Sequence, residues 1–203
     1  MDFINKTTEK IAKELLGKKL LFNYKGFWLG GYIVETEAYI GPEDMACHGY
    51  NWKRTPKVES LYKIGGTIYV YMMHSYNMLN IVTREAERPE AVLIRALQPS
   101  DYEEIMIKNR AKSNFEITNG PGKLTKALGI TREIDGAMIN KGSLLINEEE
   151  SILPKSIITS SRIGIPNKGE WTDKPLRFYV EGNPYVSRIP KKLMKLTNDT
   201  WKL

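Results

Sequence analysis

The sequence predicts an α+β fold: one domain over residues 1–203, with a curved, mostly antiparallel sheet (an open, barrel-like roll) flanked by helices. Three observations lead there. Runs rich in β-branched and aromatic residues recur along the chain, parted by glycine and proline turns. Helical patterns are few, short and set between the strands. No internal repeat, low-complexity tract or linker divides the 203 residues, a length that suits one domain with a proper core.

The elements follow in order. Thr7 to Gly17 reads as a helix: a threonine can cap it, Ile11 and Leu15 lie one turn apart, and Gly17 closes it. Lys19 to Tyr24 reads as a strand, Lys25-Gly26 as a turn, and Phe27-Trp28-Leu29 as the lead into a second strand that Gly41-Pro42 stops. Gly49 to Lys63 is loop-like and basic. After Gly65-Gly66, Thr67 to Met73 is a strong strand, followed by Leu79 to Thr83 and Ala91 to Ala96. Ser100-Asp101-Tyr102-Glu103 is expected to open a helix with a capping box and to run to about Arg110. Asn119 to Gly129 is a further helix, with Pro121 at its start and Gly129 at its end. Its first N–H groups suit a phosphate, though Gly120-Pro121-Gly122 equally serves simply to shape the turn. Late strands are expected at Ser143 to Ile146 and Leu176 to Val180.

Composition narrows the class. Hydrophobic residues make up 41% and charged residues 27%, the balance of a globular chain. Lys and Arg outnumber Asp and Glu by 30 to 24, for a formal charge of +6. Such an excess suits a nucleic-acid partner and is equally the surface of an ordinary basic protein. Cys47 is the one cysteine, so no disulfide forms within the chain. A reducing cytoplasm is therefore the expected compartment, with the nucleoid the expected place in a bacterium. Met1 to Lys6 lacks an apolar signal core, and no run approaches a membrane span. His48 and His74 are the only histidines and no ligand cluster has metal spacing, so neither metal nor cofactor is expected.

The chemistry concentrates in Gly31 to His48. Side chains alternate across a strand, so Glu35, Glu37 and Tyr39 share one face while Tyr32, Val34, Thr36 and Ala38 take the other. Alternating glutamates usually face water. Two carboxylates beside a phenol, just before a turn that delivers His48, also suit a cleft with a base and a flat wall for a ring. Arg95 ends the apolar run Val92-Leu93-Ile94, and Asn80 precedes Ile81-Val82. A charge in such a run must be paired or reach water. Placed near Glu37, Arg95 would keep that carboxylate ionised at neutral pH and able to act as a base. Tyr39, Tyr69 and Tyr71, with His48, can sandwich a planar base, as enzymes do with an extruded nucleobase, although a tyrosine stripe is more often core packing. Arg54, Lys123 and Lys126 are candidates for phosphate contact. Glycine-rich dinucleotide, P-loop and nucleophile-elbow signatures are missing. Cys47 beside His48 reads as a small apolar residue rather than a thiol nucleophile.

Five spaced blocks resemble the alkyladenine (3-methyladenine) DNA glycosylase family of the mammalian type, also called methylpurine-DNA glycosylases. They are Glu35-Thr36-Glu37-Ala38-Tyr39 with Asp44, Ala46 and His48; Tyr69-Val70-Tyr71; Val92 to Leu97 with Pro99; Asn119 to Leu124; and Arg162-Ile163-Gly164-Ile165 with Gly169-Glu170-Trp171 and Lys174 to Val180. The resemblance covers about Thr7 to Ser187. It implies a monomeric, monofunctional enzyme that flips a damaged purine out of double-stranded DNA and hydrolyses its N-glycosidic bond with water, leaving an abasic site. The implied lesion class is 3-methyladenine, 7-methylguanine, hypoxanthine and etheno-adenine, and neither metal nor lysine Schiff base is implied. By position, Glu37 matches the general base and Arg95 the residue that helps it hold water. Tyr39, His48 and Tyr71 match the pocket walls. Ile163 matches a residue whose backbone reads the base edge, and Asn80 one that crowds the exocyclic amine of guanine. One departure stands out. Where the family carries a tyrosine that wedges into the base stack, this chain has His74, followed by Ser75-Tyr76-Asn77, in a segment one residue short. His74 and Tyr76 are therefore the wedge candidates. Two other readings compete: a carbohydrate glycosidase using Glu35 and Glu37 as its carboxylate pair, and a damaged-DNA binding protein of the same fold with weakened catalysis.

Overall fold

The long strand β2, Phe27–Tyr39, organises the computed structural model, which describes residues 1–202. One edge of β2 is paired along most of its length with β5, Glu90–Asp101. The other edge is shared. β1, Lys19–Tyr24, takes the first half, joined to β2 by the tight turn Lys25-Gly26 with both residues at positive φ. β8, Arg177–Val180, takes the second half, pairing Glu35 with Tyr179 and Glu37 with Arg177. With one edge divided between two strands, the sheet cannot stay flat. The order is β3-β4-β5-β2-β1-β6, with β8 and β7 branching from β2, and every pairing is antiparallel. Here β3 is Ile68–Met73, β4 Tyr76–Thr83, β6 Leu144–Asn147 and β7 Ile157–Ser160. The α+β expectation holds, including the curled antiparallel sheet.

Gly30 and Gly31 allow the curl. A Cβ on Gly30 would lie 2.0 Å from the Leu20 carbonyl oxygen, and one on Gly31 would lie 2.0 Å from that of Gln98. Only glycine lets both neighbouring strands close on β2 here. The β2–β5 register shifts at Gly30/Gly31 and again at Ile33/Glu35 and Glu35/Thr36, where Val34 and then Arg95 are the unpaired residues.

The apolar face of β2 packs on α1, Thr8–Glu14, capped by the Thr7 hydroxyl. Ile11, Ala12 and Leu15 are fully buried against it, and the Thr36 hydroxyl donates to the Ala12 carbonyl at 2.9 Å. Full burial of an Ile or Leu side chain contributes about 1.5–3 kcal/mol. α3, Pro121–Leu128, packs on β4 and β5, and α2, Glu103–Arg110, packs on α3. A second, smaller apolar cluster of Cys47, Leu61, Tyr62, Tyr69, Val82 and Ala91 lies beneath half-buried Tyr39 and Tyr71.

Two expectations need correction. The capping box at Ser100 does not form. β5 continues through Ser100 to Asp101, the Ser100 hydroxyl bonds Asp101 at 2.5 Å, and α2 starts after Tyr102 in a left-handed conformation without a side-chain cap. Pairing with the start of β2 outweighed the local capping signal. β7 is an additional strand, missed because Ile157-Ile158-Thr159-Ser160 is short and is half-buried to exposed rather than buried.

Candidate active site

The polar face of β2 meets Arg95, in the middle of β5, in a closed ionic cluster. Glu37 is 0% exposed. Its Oε1 accepts the Ile163 backbone N–H at 2.7 Å, and its Oε2 accepts the Tyr39 hydroxyl at 3.0 Å. The Arg95 Nη1 stands 3.2 Å from the same Oε2. Arg95 thus reaches Glu37, as the apolar run ending in an arginine suggested. Its effect on the proton is a different matter. Burial pushes the Glu37 pKa above the ordinary carboxylate value, and Arg95, the Ile163 N–H and Tyr39 only partly oppose that shift, while Glu35 adds to it. A carboxylate with a raised pKa is, once ionised, a stronger base than an ordinary one.

Glu35, on the same face, is committed elsewhere. Its Oε1 accepts Arg95 Nε at 2.9 Å, Arg177 Nε at 2.7 Å and the Ser187 hydroxyl at 2.8 Å, and its Oε2 accepts the Ser187 N–H at 2.8 Å. A carboxylate so enclosed has no room to serve as a second acid on a sugar, which removes the basis for a paired-carboxylate glycosidase.

Beside this cluster opens a cavity of about 160 Å³. Tyr39, His48, Tyr69, Tyr71, Asn80 and Leu93 line it, and Arg95 and Ile163, which contact Glu37, border it as well. The rings hold one another: His48 and Tyr71 meet edge-on with centroids 4.4 Å apart, and the His48 Nδ1 is 2.8 Å from the Tyr69 hydroxyl. Burial, with a smaller push from Lys53, lowers the His48 pKa, so the imidazole is neutral at pH 7. Burial raises the Tyr39 and Tyr71 phenols, Tyr71 to about 12, and both stay protonated. The Asn80 amide donates to the Tyr69 and Met78 carbonyls at 3.1 Å each, which fixes its orientation. Six of the seven residues the sequence reading assigned to catalysis and base binding line one cavity, Arg95, Tyr39, His48, Tyr71, Asn80 and Ile163, and the seventh, Glu37, lies behind it in contact with Tyr39, Arg95 and Ile163.

The sequence model of the methylpurine-DNA glycosylase family matches residues 2–184. A protein of Staphylococcus saprophyticus is 55% identical over 203 residues, the whole of both chains. One of Staphylococcus carnosus is 54% identical over 203 residues, 100% of this chain and 98% of its own, and one of Staphylococcus aureus strain MRSA252 is 54% identical over 202 residues and 100% of each. All three bear the name "Putative 3-methyladenine DNA glycosylase". The chain belongs to the methylpurine-DNA glycosylase family. It is an enzyme of DNA repair, a hydrolase acting on N-glycosyl bonds, and damaged DNA is the substrate its family implies.

For a methylpurine-DNA glycosylase, the surface around the cavity mouth is the next concern. His74 and Ser75, both at positive φ, form the two-residue tip of the β3–β4 hairpin. Tyr76 lies over the first turn of α3: a Cβ added to Gly122 would come within 2.6 Å of the Tyr76 Cβ. Met73, which shares a face with Tyr69 and Tyr71, borders the cavity and is 45% exposed, and Met72 is 61% exposed. Lys126 and His74 border one shallow depression between the hairpin and α3. The Lys123 ammonium donates to Asn119 Oδ1 at 2.7 Å, across the turn that opens α3. Arg54 is engaged by Glu59 and Glu87 and stacks on Tyr62, so its charge is already balanced.

Sequence reasoning missed several members of the site. Arg162 and Asp44 form a fully buried two-pronged pair, at 2.5 and 2.9 Å, and the guanidinium lies 4.7 Å from the Tyr39 ring centroid. This pair anchors the segment that presents Ile163. Arg177 and Ser187 were also missed. An arginine directly before Ile163 and an aspartate four residues before His48 were the available signals. No group of three His, Cys, Asp or Glu side chains is placed to hold a metal among the described residues, and none of their helices is long and apolar enough to cross a membrane.

Proposed function

We propose that this enzyme excises 3-methyladenine, 7-methylguanine, hypoxanthine and etheno-adenine from duplex DNA, using water activated by Glu37. The observation that carries the reading is a sealed, proton-avid carboxylate adjoining a tyrosine-walled cavity, with Arg95 at 3.2 Å. The flipped purine stacks among Tyr39, Tyr71 and His48. A ring made cationic by alkylation gains from the tyrosine faces and is a better leaving group. Glu37 orients and deprotonates the water and stabilises the oxocarbenium-like sugar. Glu37 Oε1 keeps a lone pair beyond the Ile163 N–H, and parting the Tyr39 contact would free Oε2 for the water. Asn80 crowds the position where guanine carries its amine. The β3–β4 tip, with His74 and Tyr76, fills the gap left by the flipped nucleotide. Lys123 and Lys126 take phosphates. The protein acts as a monomer, one domain over residues 1–203, on chromosomal DNA in the cytoplasm.

The reading of a binding protein with weakened catalysis gains no support from the site, where Glu37 and Arg95 are both present and in contact. Incubation with a duplex carrying one hypoxanthine, followed by hot alkali, tests the proposal. Strand breakage only after alkali is expected. Binding without breakage, or breakage without alkali, contradicts it.

A further inference from the structure

Arg95 is a guanidinium shared between two buried carboxylates, and the sharing is uneven. Its Nη1 faces Glu37 at 3.2 Å, its Nε donates to Glu35 at 2.9 Å, and its Nη2 reaches the Ser187 hydroxyl at 3.4 Å. Glu35 has both oxygens taken up by Arg95, Arg177 and Ser187, whereas Glu37 contacts the cavity-lining Tyr39 and Ile163, so Glu35 faces the network rather than a base or sugar. The second arginine, Arg177, donates to Glu35 through Nε at 2.7 Å and to the Ser187 carbonyl through Nη2 at 3.0 Å. Ser187 closes the ring by donating its N–H and hydroxyl to the two Glu35 oxygens.

We propose that Glu35, held by Arg177 and Ser187, is a positioning residue for excision: it grips one side of the Arg95 guanidinium so that another edge is presented to Glu37. The inference rests on Glu37 being the base. A planar guanidinium offers its donors in a fixed fork, so holding Nε and Nη2 sets where Nη1 points. Without that grip Arg95 swings fully onto Glu37, forming a tight pair that ties up the carboxylate the water needs. The grip also couples the chain near Ser187, which follows β8, to the base on β2.

The groups facing Glu37 are Arg95 from β5, Glu35 and Tyr39 from β2, Tyr71 from β3, and Arg162 and the Ile163 N–H from the segment after β7. Of these, Glu35 and Arg95 act on its proton with opposite sign. Glu35 raises the Glu37 pKa and Arg95 lowers it. Removing the Glu35 charge therefore moves the acid limb by itself, and the positioning role is read from whether the loss in rate requires Arg95.

The test is single-turnover excision from a hypoxanthine duplex across pH, for wild type, Glu35→Gln, Arg95→Met and the double variant, with melting curves to confirm folding. Glu35→Gln is expected to lose about tenfold to a hundredfold at the plateau, the scale of a misplaced catalytic group. Its acid limb moves to lower pH, whereas that of Arg95→Met moves to higher pH. In the Arg95→Met background, adding Glu35→Gln costs no more than about twofold, because Glu35 acts through Arg95. An equal cost in both backgrounds overturns the proposal. If Glu35→Gln does not fold, Ser187→Ala replaces it. That variant removes the hydroxyl between Glu35 and Arg95 and keeps every charge. A plateau loss that disappears in Arg95→Met supports the proposal, and one that persists there overturns it. Wild type failing to excise at all would instead remove the reading of Glu37 as base.

Discussion

Replacing Arg95 with methionine keeps an unbranched apolar stem and deletes the guanidinium with its charge. The structure lets the consequence be worked through. At 3.2 Å from Glu37, a unit charge pair in a medium of effective dielectric about 20 attracts by roughly 5 kcal/mol. The net cost of breaking such a buried pair by removing one partner is about 3–5 kcal/mol, because a carboxylate is left without its counter-ion. Glu35 retains Arg177 and Ser187, so Glu37 bears most of the loss. The Glu37 pKa already lies above its ordinary value, and without Arg95 it rises further. The sign of the pH effect follows. Excision needs the carboxylate ionised, so rate falls as pH falls through this pKa, and the acid limb of Arg95→Met moves toward neutral. In stability the order is reversed. The folded state binds this proton more tightly than the unfolded chain, so the stability deficit is largest above the raised pKa and shrinks on acidification toward the ordinary glutamate range. Two measurements check this: single-turnover excision against pH, and melting temperature of wild type and variant against pH. A limb that stays in place or moves to lower pH, or a deficit that grows on acidification, refutes the placement of Arg95 as the counter-ion of Glu37.

Three further outcomes are expected. Affinity for lesion-free duplex should fall with salt, and neutralising Lys123 or Lys126 should flatten the log–log slope by about 0.9 for each lost phosphate contact. Arg54→Gln should change it less, since Glu59 and Glu87 already balance that charge; equal slopes for all four proteins would remove the lysines from the interface. Alanine at both His74 and Tyr76 should slow excision of a paired lesion more than of one in a single strand, because unstacking costs a few kcal/mol only in the duplex; a paired-lesion rate unchanged in that variant places the wedge elsewhere. Excision should be indifferent to EDTA, as no ligand cluster exists among the described residues; loss of activity that one added metal restores would contradict a metal-free hydrolysis.

The fold was legible wherever its cause was local. β-branched and aromatic runs marked β2, β3, β4 and β5, and proline and glycine bracketed α3 as expected. The shared face of Glu35, Glu37 and Tyr39 was legible because strand alternation is a two-residue rule. Where partners come from far along the chain, the sequence was silent. Arg177 lies 142 residues from Glu35 and Ser187 lies 152, and no periodicity relates them. That is why Glu35 and Glu37 looked alike in sequence and differ in space: one is enclosed by two arginines and a serine, the other borders a cavity through its partners. The capping box at Ser100 failed for the complementary reason. A local signal was present, and the long-range pairing of Asp101 with Gly30 overrode it. The ionisation of Glu37 was half legible, since Arg95 could be anticipated and the depth of burial that outweighs it could not.

The central claim is that Glu37 activates the water. Glu37→Gln preserves shape while removing the charge and one of the two acceptor oxygens, and Glu35→Gln is its partner on the same strand face. Single-turnover excision from a hypoxanthine duplex, measured beside binding of a non-cleavable abasic analogue, separates chemistry from recognition. Glu37→Gln should lose about a hundredfold or more in rate, with lost stabilisation of the cationic sugar adding to it. Its analogue binding should persist, because Tyr39, Tyr71 and the phosphate contacts are untouched. Glu35→Gln should retain more activity than Glu37→Gln. Excision by Glu37→Gln at near the wild-type rate, with Glu35→Gln inactive, would show that the base is the other carboxylate.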